Sequence, residues 1–248
     1  MDIKPYLKEI SLKKETITSY DFFPFNIPAI NKLPEMKFHR DVTFIVGENG
    51  SGKSTFIEAI ARWLGLSQEG GSKDNIQLES KNDSLLFSHL RGAMGYRKPS
   101  DYFFLRAESL YNVATYLDDV YESGGGLAQV YGVSSLHKCS HGESFLAIMS
   151  NRLRGNGLYI FDEPEASLSP MHQLTALGLI DGLVKKKSQF IIATHSPILL
   201  AYPNALIYQF DETGVKQISY EETAPFTDTK SFLNNYESII EILVAGYQ

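Results

Sequence analysis

The chain has 248 residues, 43% of them hydrophobic, so it can bury a full core as one large α/β domain. A net charge of −6 and an isoelectric point near 5.5 exclude a global attraction to nucleic acid or anionic lipid, although a local basic patch stays compatible with them. The single cysteine, Cys139, excludes an internal disulfide and fits a reducing compartment. Met1 leads into a charged segment rather than a signal peptide, and no apolar run reaches the roughly 20 residues that span a bilayer, so we expect a cytoplasmic protein.

The N-terminal segment is predicted to form edge strands that lead toward a first core strand. Residues 6–17 alternate charged and apolar side chains, and turns punctuated by proline follow. Four aromatic residues stand about 28 to 33 positions before Lys53: Tyr20, Phe22, Phe23 and Phe25. One of them could stack on an adenine ring, although packing in the core is the more frequent role of such residues, and both roles stay open.

A glycine-rich turn stands between the first predicted core strand and a helix. The strand covers residues 42–46, and the turn reads Gly47-Glu48-Asn49-Gly50-Ser51-Gly52-Lys53-Ser54-Thr55, which fits the phosphate-loop pattern G-x-x-x-x-G-K-[ST]. Its glycines allow successive N–H groups to point at one anion, and the dipole of the following helix adds partial positive charge. Lys53 is predicted to reach the β- and γ-phosphates of a nucleotide, and the Ser54 hydroxyl to contact Mg²⁺. A glycine-rich turn without function is the alternative, and the flanking strand and helix argue against it.

A surface segment and a second buried strand are predicted after the phosphate-loop helix. Residues 65–81 are rich in glycine, serine, asparagine and charge, and short strands are expected at 76–79 and 85–87. Residues 102–106 have the pattern of a buried strand, and 108–121 carry apolar residues at a helical spacing. No heptad repeat is sustained along the chain, which excludes a coiled-coil arm.

A third buried strand is predicted at residues 158–161, directly before Asp162 and Glu163. Two acids at the carboxyl end of a core strand are expected to complete the nucleotide site of a phosphate-loop protein. Asp162 would lie on Mg²⁺, and Glu163 would polarise water. A solvated acidic turn is the alternative, and the four apolar residues before Asp162 argue against it.

The next predicted helix, at 170–184, ends in the three lysines 185–187. Their charge suits the negative end of the helix dipole, a role that we favour over a contact with DNA. A strand at 189–193 then leads to His195, which is expected at the same edge of the sheet as the phosphate loop. Single histidines are usually structural, but this location favours a role in sensing the γ-phosphate.

Three further elements are predicted from local pattern. An amphipathic helix follows Cys139-Ser140-His141-Gly142-Glu143-Ser144 and runs to about residue 153. The chain then ends in a hairpin that pairs 205–210 with 215–219, and in a helix at about 229–244.

Together these motifs resemble the ABC-type ATPases, the superfamily that includes transporter nucleotide-binding subunits, the heads of SMC-type chromosome proteins and small stand-alone bacterial ATPases. Four motifs match in the family's order: the phosphate loop, a signature at Ser140-His141-Gly142-Glu143, the acidic strand end at Asp162-Glu163, and His195. Ser140 precedes Asp162 by 22 residues and His195 follows it by 33, in agreement with the family's spacing. The resemblance covers about residues 40 to 200. It is closest to small ATPases without a coiled coil that carry a Ser-His-Gly-Glu signature and a Phe-Leu-Arg-Ala-Glu segment, here at 104–108.

The chain departs from the family pattern at two places. The signature usually reads Leu-Ser-Gly-Gly-Gln, and here Cys139, His141 and Glu143 replace three of those five residues. Ser140 and Gly142 keep the hydroxyl and the close backbone approach, so this helix start could still meet a γ-phosphate. The usual metal-linking glutamine is also missing. Glu108 is the best replacement for it, with a plain helix-capping acid as the alternative.

The resemblance implies an α/β P-loop NTPase fold of the ABC ATPase type. Such a fold has a mixed central sheet with helices on both faces, an antiparallel β region and a small helical lobe that carries the signature. The whole chain, 1–248, would be one domain. Within it we expect a nucleotide-binding core at 1–66 and 156–248, a β excursion at 67–105 and the helical signature lobe at 106–155.

The resemblance also implies a mechanism that one chain cannot complete. Ser140 of one copy would close over ATP held by Lys53 of another, so that a head-to-tail dimer encloses two nucleotides. Glu163 would orient or deprotonate the attacking water, His195 would hold that water against the γ-phosphate, and Lys53 completes the implied catalytic set. The metal ligands would be Ser54, Asp162 and Glu108, and the dimer-contact loop would consist of Ser167, Leu168 and Ser169. The dimer would form with ATP and separate after hydrolysis, and this cycle would drive a partner.

Three classes of function compete for that output. The resemblance favours an ATPase that gates a soluble effector in DNA repair or anti-phage defence, with DNA as a candidate partner. The energy subunit of a membrane transporter is the alternative, and the unusual metal-linking loop counts against it. A GTPase or small-molecule kinase is disfavoured, because Asn31-Lys32 precedes the phosphate loop instead of forming a base-reading motif after it, and a kinase would need neither the signature nor His195.

Overall fold

The computed structural model describes residues 3–73, 85–110, 115 and 139–245. Its β-strands, in chain order, are β1 (Leu7–Leu12), β2 (Met36–Lys37), β3 (Val42–Val46), β4 (Leu90–Met94), β5 (Asp101–Arg106), β6 (Gly157–Asp162), β7 (Gln189–Ala193), β8 (Leu206–Asp211) and β9 (Gly214–Ile218). Its α-helices are α1 (Pro28–Asn31), α2 (Lys53–Trp63), α3 (His141–Ala147), α4 (Pro170–Lys185), α5 (Pro197–Leu200) and α6 (Ala224–Ala245). A π-helix (Ile148–Arg152) continues α3, and 3₁₀-helices cover Lys14–Thr16, Leu85–His89, Pro164–Ser167 and Tyr220–Glu222.

The larger of two sheets has the strand order β5-β6-β7-β3-β8-β9. The first five of these strands are parallel, and β9 pairs antiparallel with β8. Parallel strands end at one edge, so the segments that follow β3, β6 and β7 meet there. The residues 47–55, 162–163 and 195 therefore lie at the same edge of the sheet.

Alternate side chains of the central strands pack into two separate cores. Phe44, Phe161 and Ile192 face the core beneath α3, α4 and α5. Their neighbours Ile45 and Ile160 face the core formed with α1, α2 and the smaller sheet. This period of two on strands buried from both sides explains their nearly continuous apolar sequence.

The smaller sheet is antiparallel, with the order β2-β1-β4, and a buried glutamine joins it to the larger one. Gln189, fully buried at the start of β7, accepts hydrogen bonds from the backbone N–H groups of Tyr6 and Leu7 at 2.8 and 2.9 Å. Its amide nitrogen donates to the carbonyls of Leu7 and His39 at 2.9 Å each. Because its amide is bonded on both sides, this buried polar group stabilises the junction instead of weakening it.

The expected fold class is confirmed: the central sheet is mixed, helices lie on both faces, and an antiparallel sheet is added. The strand expected at 85–87 is wrong, because Leu85–His89 is a 3₁₀-helix whose Leu86 is fully buried beneath α2. Strand 76–79 and most of the helix expected at 108–121 lie outside the described residues. Strand β5, expected at the end of the β excursion, is the edge strand of the larger sheet.

The C-terminal helix is longer than the expected 229–244. It begins at Ala224, directly after Thr223, and runs to Ala245 with one non-helical residue at Asn235 (φ −135°, ψ 22°). In the described part of the chain, neither this helix nor any other has the length and apolarity needed to cross a bilayer.

Candidate active site

The turn between β3 and α2 has a backbone shape that only glycine adopts easily. Gly50 and Gly52 have φ values of 82° and 96°, in the left-handed region. A Cβ on Gly47 would lie 2.3 Å from the carbonyl oxygen of Phe210 on β8, which leaves no room for a side chain. The turn therefore curls tightly against the sheet and leads into the N-terminus of α2, the geometry that binds phosphate groups.

Lys53, the first residue of α2, lies folded over this turn. Its side chain is 3% exposed and donates a hydrogen bond to the Glu48 carbonyl at 3.0 Å. The Nζ atom also lies 3.9 Å from Oε1 of Glu163. Burial lowers the pKa of Lys53, and the nearby Glu163 carboxylate opposes that shift. The ammonium group is therefore held at the position where a phosphate chain on the turn would need a cation.

Three buried side-chain polar atoms in the described chain lack a hydrogen-bond partner: one is Oε1 of Gln68, and the other two lie in the cleft beside the phosphate loop. These two are Oγ of Ser51 and Nε2 of His195. Both residues line a cleft of about 1140 Å³ together with the phosphate-loop backbone. An unpaired buried polar atom is costly unless a ligand satisfies it, and both atoms can donate to phosphate oxygens.

The same cleft extends from the turn along the β8–β9 hairpin to the start of α6, where Thr213 and Pro225 line it. None of the four N-terminal aromatic residues is among the residues lining this cleft. Phe25 is 1% exposed and packs edge-on against Tyr20 and Phe22, so it has the core role that was one of the two alternatives.

Asp162, the last residue of β6, is 3% exposed and accepts a hydrogen bond from the Ser54 hydroxyl at 3.1 Å. Burial raises the pKa of Asp162 to about 7, and the Arg106 guanidinium, with Nε 3.6 Å from Oδ2, opposes the shift. Such a carboxylate is stabilised by a bound cation. Mg²⁺ usually takes one or two protein oxygens and completes its shell with phosphate and water. Ser54 and Asp162 therefore fit the ligand pair that the sequence indicates.

Arg106, at the end of β5, is the main contact that sequence reasoning missed. Its Nη1 atom lies 2.7 Å from Oε1 of Glu58, and its Nη2 atom lies 2.7 Å from Oε2 of Glu108. Glu108 is 80% exposed and lines the same cleft as Ser54 and Asp162. Its expected role as a metal ligand stays a prediction. The available signal in the sequence was a cationic residue at the end of β5, the strand next to the one that ends in Asp162.

Glu163 has a left-handed backbone, with φ 47° and ψ 52°, although it is not a glycine. Its N–H donates to the carbonyl of Ala193 at 2.9 Å, and Oε1 lies 3.5 Å from Nε2 of His195. A non-glycine residue in this region costs free energy, and such strain is concentrated at functional sites. The fold thus brings the Glu163 carboxylate between Lys53 and His195, as the shared sheet edge predicts.

A second acid, Glu165, joins the loops that follow β6 and β7 by hydrogen bonds, a role that its sequence context does not predict. One carboxylate oxygen accepts the Thr194 hydroxyl at 2.7 Å, and the other accepts the His195 backbone N–H. Thr194 is fully buried, and its oxygen accepts the N–H of Ser196 at 3.0 Å. Ser196 in turn donates to the Gln173 side chain at 2.6 Å.

The signature residues begin α3 on the surface of the molecule. Ser140 and Glu143 form a capping box, in which the Ser140 N–H donates to Oε2 at 2.8 Å and the Glu143 N–H donates to the hydroxyl at 3.3 Å. Ser140, His141 and Glu143 are exposed, whereas Gly142 is buried. His141 lines a smaller cleft of about 530 Å³ that also includes Ser54, Asp162 and Glu163 of the same chain.

The expected dimer-contact loop lies beside this helix start. A Cβ on Gly142 would be 2.9 Å from the Ser167 carbonyl oxygen, so the two segments touch through backbone. Ser169 caps α4 by accepting the His172 N–H at 3.3 Å. Leu168 is only 5% exposed and packs in the core beneath the larger sheet, so its side chain anchors the loop and is not available to a neighbour. Only the serines of the loop remain near the surface.

Comparisons with known proteins find similarity to ATP-binding proteins. A protein-family model described as an AAA domain matches residues 21–118. An ABC transporter ATP-binding protein of Bacillus anthracis is 27% identical over 212 residues, which cover 75% of this chain and 36% of that protein. The ATP-dependent lipid A-core flippase of Yersinia pestis is 22% identical over 180 residues, which cover 67% of this chain and 31% of the flippase. The chain thus spans about a third of the length of these relatives.

Two solved structures align with the chain at low sequence identity. The SMC head domain from Thermotoga maritima aligns with a TM-score of 0.47 and 16% identity, over 87% of this chain and 99% of that chain. The cbiO1 protein of Clostridium perfringens, part of an ABC transporter complex, aligns with a TM-score of 0.46 and 18% identity. The alignment covers 84% of this chain and 90% of that chain. The phosphate loop, Asp162-Glu163 and His195 meet at one edge of the larger sheet, and the signature stands at its expected place in the order. In its motifs and their order, the chain is thus similar to the ATP-binding proteins of ABC transporters.

Proposed function

We propose that this chain hydrolyses ATP to ADP and phosphate with Mg²⁺, and that two copies close head-to-tail around two ATP molecules. The observation that carries the proposal is the convergence of Lys53, Asp162, Glu163 and His195 at one edge of the larger sheet, next to two buried donors without a partner. A polyphosphate would satisfy both donors and meet the Lys53 ammonium.

Each residue has a chemical task in this proposal. The loop backbone and Lys53 hold the β- and γ-phosphates, and Ser54 with Asp162 would hold Mg²⁺, which when bound neutralises phosphate charge. Glu163 orients the attacking water and accepts its proton, since its carboxylate lies between Lys53 and His195. Nε2 of His195 donates to the γ-phosphate and keeps the water in line.

Dimerisation is supported by the shared surface of the signature and the neighbouring loop. Ser140 and His141 are exposed at the start of α3, and Ser167 touches that start through its carbonyl oxygen. One neighbouring copy could contact both segments at once. Ser140 of that copy would then complete the phosphate site formed by Lys53 in the first.

For the output, we propose that the dimer gates a soluble effector in DNA repair or defence, in the cytoplasm. The unusual signature and the lone cysteine support this class. The second candidate is the energy subunit of a membrane transporter, which the names of the matched relatives favour. ATPase rates with and without DNA separate the two, because strong stimulation by DNA is not expected of a transporter subunit. Copurification with a membrane protein would favour the second.

The mechanism is tested with Glu163→Gln, which keeps the shape of the side chain and removes the proton acceptor. We expect the variant to bind ATP, to lose at least about 99% of turnover, as for the removal of a general base, and to form a dimer in saturating Mg-ATP by light scattering. Glu221→Gln, at an exposed acid in a 3₁₀-helix far along the chain, is the control and should behave as the wild type. A Glu163→Gln protein that binds ATP but stays monomeric would contradict the dimer mechanism.

A further inference from the structure

The edge of the larger sheet opposite the nucleotide cleft carries a concentration of positive charge. The loops that precede β5, β6 and β7 all lie there, because these strands are parallel. Each loop exposes basic side chains, and we call the set the basic edge: Arg97, Lys98, Arg154, Lys186 and Lys187. The chain as a whole has a net charge of −6, so this grouping of basic residues has the opposite sign to the overall charge.

Direct hydrogen bonds join the three loops into one surface. The Ser100 N–H donates to the Asn156 carbonyl at 2.8 Å, and the Asn156 N–H donates to the Lys186 carbonyl at 2.8 Å. The Tyr6 hydroxyl adds a third link by donating to the Lys187 carbonyl at 3.0 Å. The backbones of the three loops are therefore held next to one another, and the five basic side chains lie on this shared surface.

The positive charge of the basic edge is not neutralised within the described chain. None of its five residues forms an ion pair with another described residue, whereas the acids nearby are already paired. Asp41 binds Lys4 at 2.5 Å, Asp101 binds Arg152 at 2.9 Å, and Asp181 binds Lys185 at 2.6 Å. Lys185 is thus paired with Asp181, whereas Lys186 and Lys187 form no ion pair with a described residue and remain available to an external anion.

An exposed aromatic ring lies within the same surface. Tyr96, next to Arg97, is 95% exposed, and among the residues of the three loops it is the one apolar side chain open to solvent. Proteins that bind single-stranded nucleic acid combine a basic track for the backbone with aromatic rings that stack on bases. A membrane-binding surface would instead expose several apolar side chains for insertion.

We propose that the basic edge binds the phosphate backbone of nucleic acid, with Tyr96 stacking on an unpaired base. The surface lies opposite the ATP cleft, so both ligands could be bound together, and the inference holds whether or not the chain hydrolyses ATP. Contacts of this kind, without base recognition, have dissociation constants of about 1 to 100 μM at physiological salt.

The test is fluorescence anisotropy with a labelled 20-nucleotide single strand of mixed sequence and the matching duplex, using the full chain without ATP. We expect binding that weakens with salt, with a slope of log K against log salt near −3.5 for about five phosphates on a single strand. Lys186→Glu/Lys187→Glu should weaken binding at least tenfold and reduce the magnitude of the slope by about 1.4, two phosphates' share. Tyr96→Ala should weaken binding of the single strand several-fold and leave the duplex unchanged.

Two further variants and a lipid probe complete the design. Arg97→Glu/Lys98→Glu removes charge from a different loop and should have the same effect, so the test does not depend on one variant folding well. Lys13→Glu/Lys14→Glu makes the same charge change at the far end of β1 and should stay within twofold of the wild type. Three results would each overturn the proposal. The wild type could fail to bind DNA at 50 mM salt, or both edge variants could bind DNA as tightly as the wild type. The wild type could also bind phosphatidylcholine–phosphatidylserine vesicles in preference to DNA.

Discussion

The Glu165 carboxylate accepts a hydrogen bond from the Thr194 hydroxyl at 2.7 Å across the gap between the β6 and β7 loops. Its other oxygen accepts the backbone N–H of His195, the residue that faces Glu163. The distance between the proposed general base and the proposed γ-phosphate sensor is therefore set by a third side chain. The gap is also bridged by the Glu163 N–H, which donates to the carbonyl of Ala193.

This relationship predicts that Glu165 affects turnover more than binding. Glu165→Gln keeps one hydrogen-bond acceptor, and we expect kcat to fall about tenfold. Glu165→Ala keeps none, and we expect kcat to fall about hundredfold, because a catalytic group misplaced by about 1 Å can cost about 10²-fold in rate. The KM for Mg-ATP should stay within about threefold, because neither change touches the phosphate loop. Steady-state kinetics measures both constants, with Glu221→Gln as the matched control.

Thr194→Val tests whether the pair acts as a unit. If it does, the double variant with Glu165→Gln should be little slower than the slower single variant, because groups in one hydrogen-bond network are not additive. Fully additive losses, or a raised KM with an unchanged kcat, would show that Glu165 does not position His195.

The raised pKa of Asp162 predicts a pH-dependent cost to stability in metal-free buffer. Between its ordinary value of 3.8 and about 7, the folded protein binds more protons than the unfolded chain. The free energy of unfolding therefore falls as pH rises through this range, and the full loss is present above pH 7. Asp162→Asn removes the titrating group, so its stability relative to the wild type should rise by roughly 2–3 kcal/mol between pH 5 and pH 8.

Urea unfolding in EDTA at the two pH values measures this difference. Asp21→Asn, at an exposed loop acid, is the control and should change the free energy of unfolding by less than about 0.5 kcal/mol. A difference between Asp162→Asn and the wild type that does not change with pH would mean that Asp162 is already ionised at pH 5.

Lys53→Ala should abolish detectable ATP binding in calorimetry. The variant removes the buried cation of the cleft, and hydrogen bonds to charged groups contribute about 1.5–3 kcal/mol each, so the affinity should fall at least tenfold. Lys14→Ala is a suitable control, because Lys14 is exposed in the 3₁₀-helix after β1 and does not line the nucleotide cleft. Unchanged ATP affinity for Lys53→Ala would refute the assignment of the loop.

Two glycine-to-alanine changes should have opposite signs. Gly178→Ala lies in open space within α4 and should stabilise the protein by about 0.5–1 kcal/mol through helix propensity. In Gly142→Ala the new methyl group meets the Ser167 carbonyl oxygen at 2.9 Å, so the α3 start must move, at a cost of about 1–3 kcal/mol. Urea denaturation compares the two. Stabilisation by both would show that α3 does not pack tightly against the dimer-contact loop.

Much of the fold and of the site follows from local pattern. The phosphate loop is recognisable because its tight turn needs residues with positive φ, and glycine adopts such values at Gly50 and Gly52. The strands at 158–161 and 189–193 are recognisable because burial on both faces demands continuous apolar sequence. Since parallel strands end at one edge, the meeting of Asp162, Glu163 and His195 could be predicted from these strands alone.

Local pattern is weakest where two structures satisfy it equally. Residues 85–87 are three apolar residues in a row, which suit a strand or a buried turn of helix. Packing decided between them: Leu86 is buried beneath α2, and the Phe87 ring lies 5.3 Å from the Arg62 guanidinium. Whether 85–87 forms a strand or a helix therefore depends on α2, which ends more than 20 residues earlier in the chain.

By itself, the sequence determined the motifs, their order and the sheet edge at which they meet, because each of these depends on periodicity or on backbone sterics within a few residues. Only the tertiary structure decided the contacts between distant side chains: Arg106 with Glu58, Glu165 with Thr194, and the unneutralised charge of Lys186 and Lys187. Such contacts depend on where separate loops come to lie in space. A hydrogen bond or an ion pair tolerates only a few tenths of an ångström, and no spacing along the chain encodes a distance that fine.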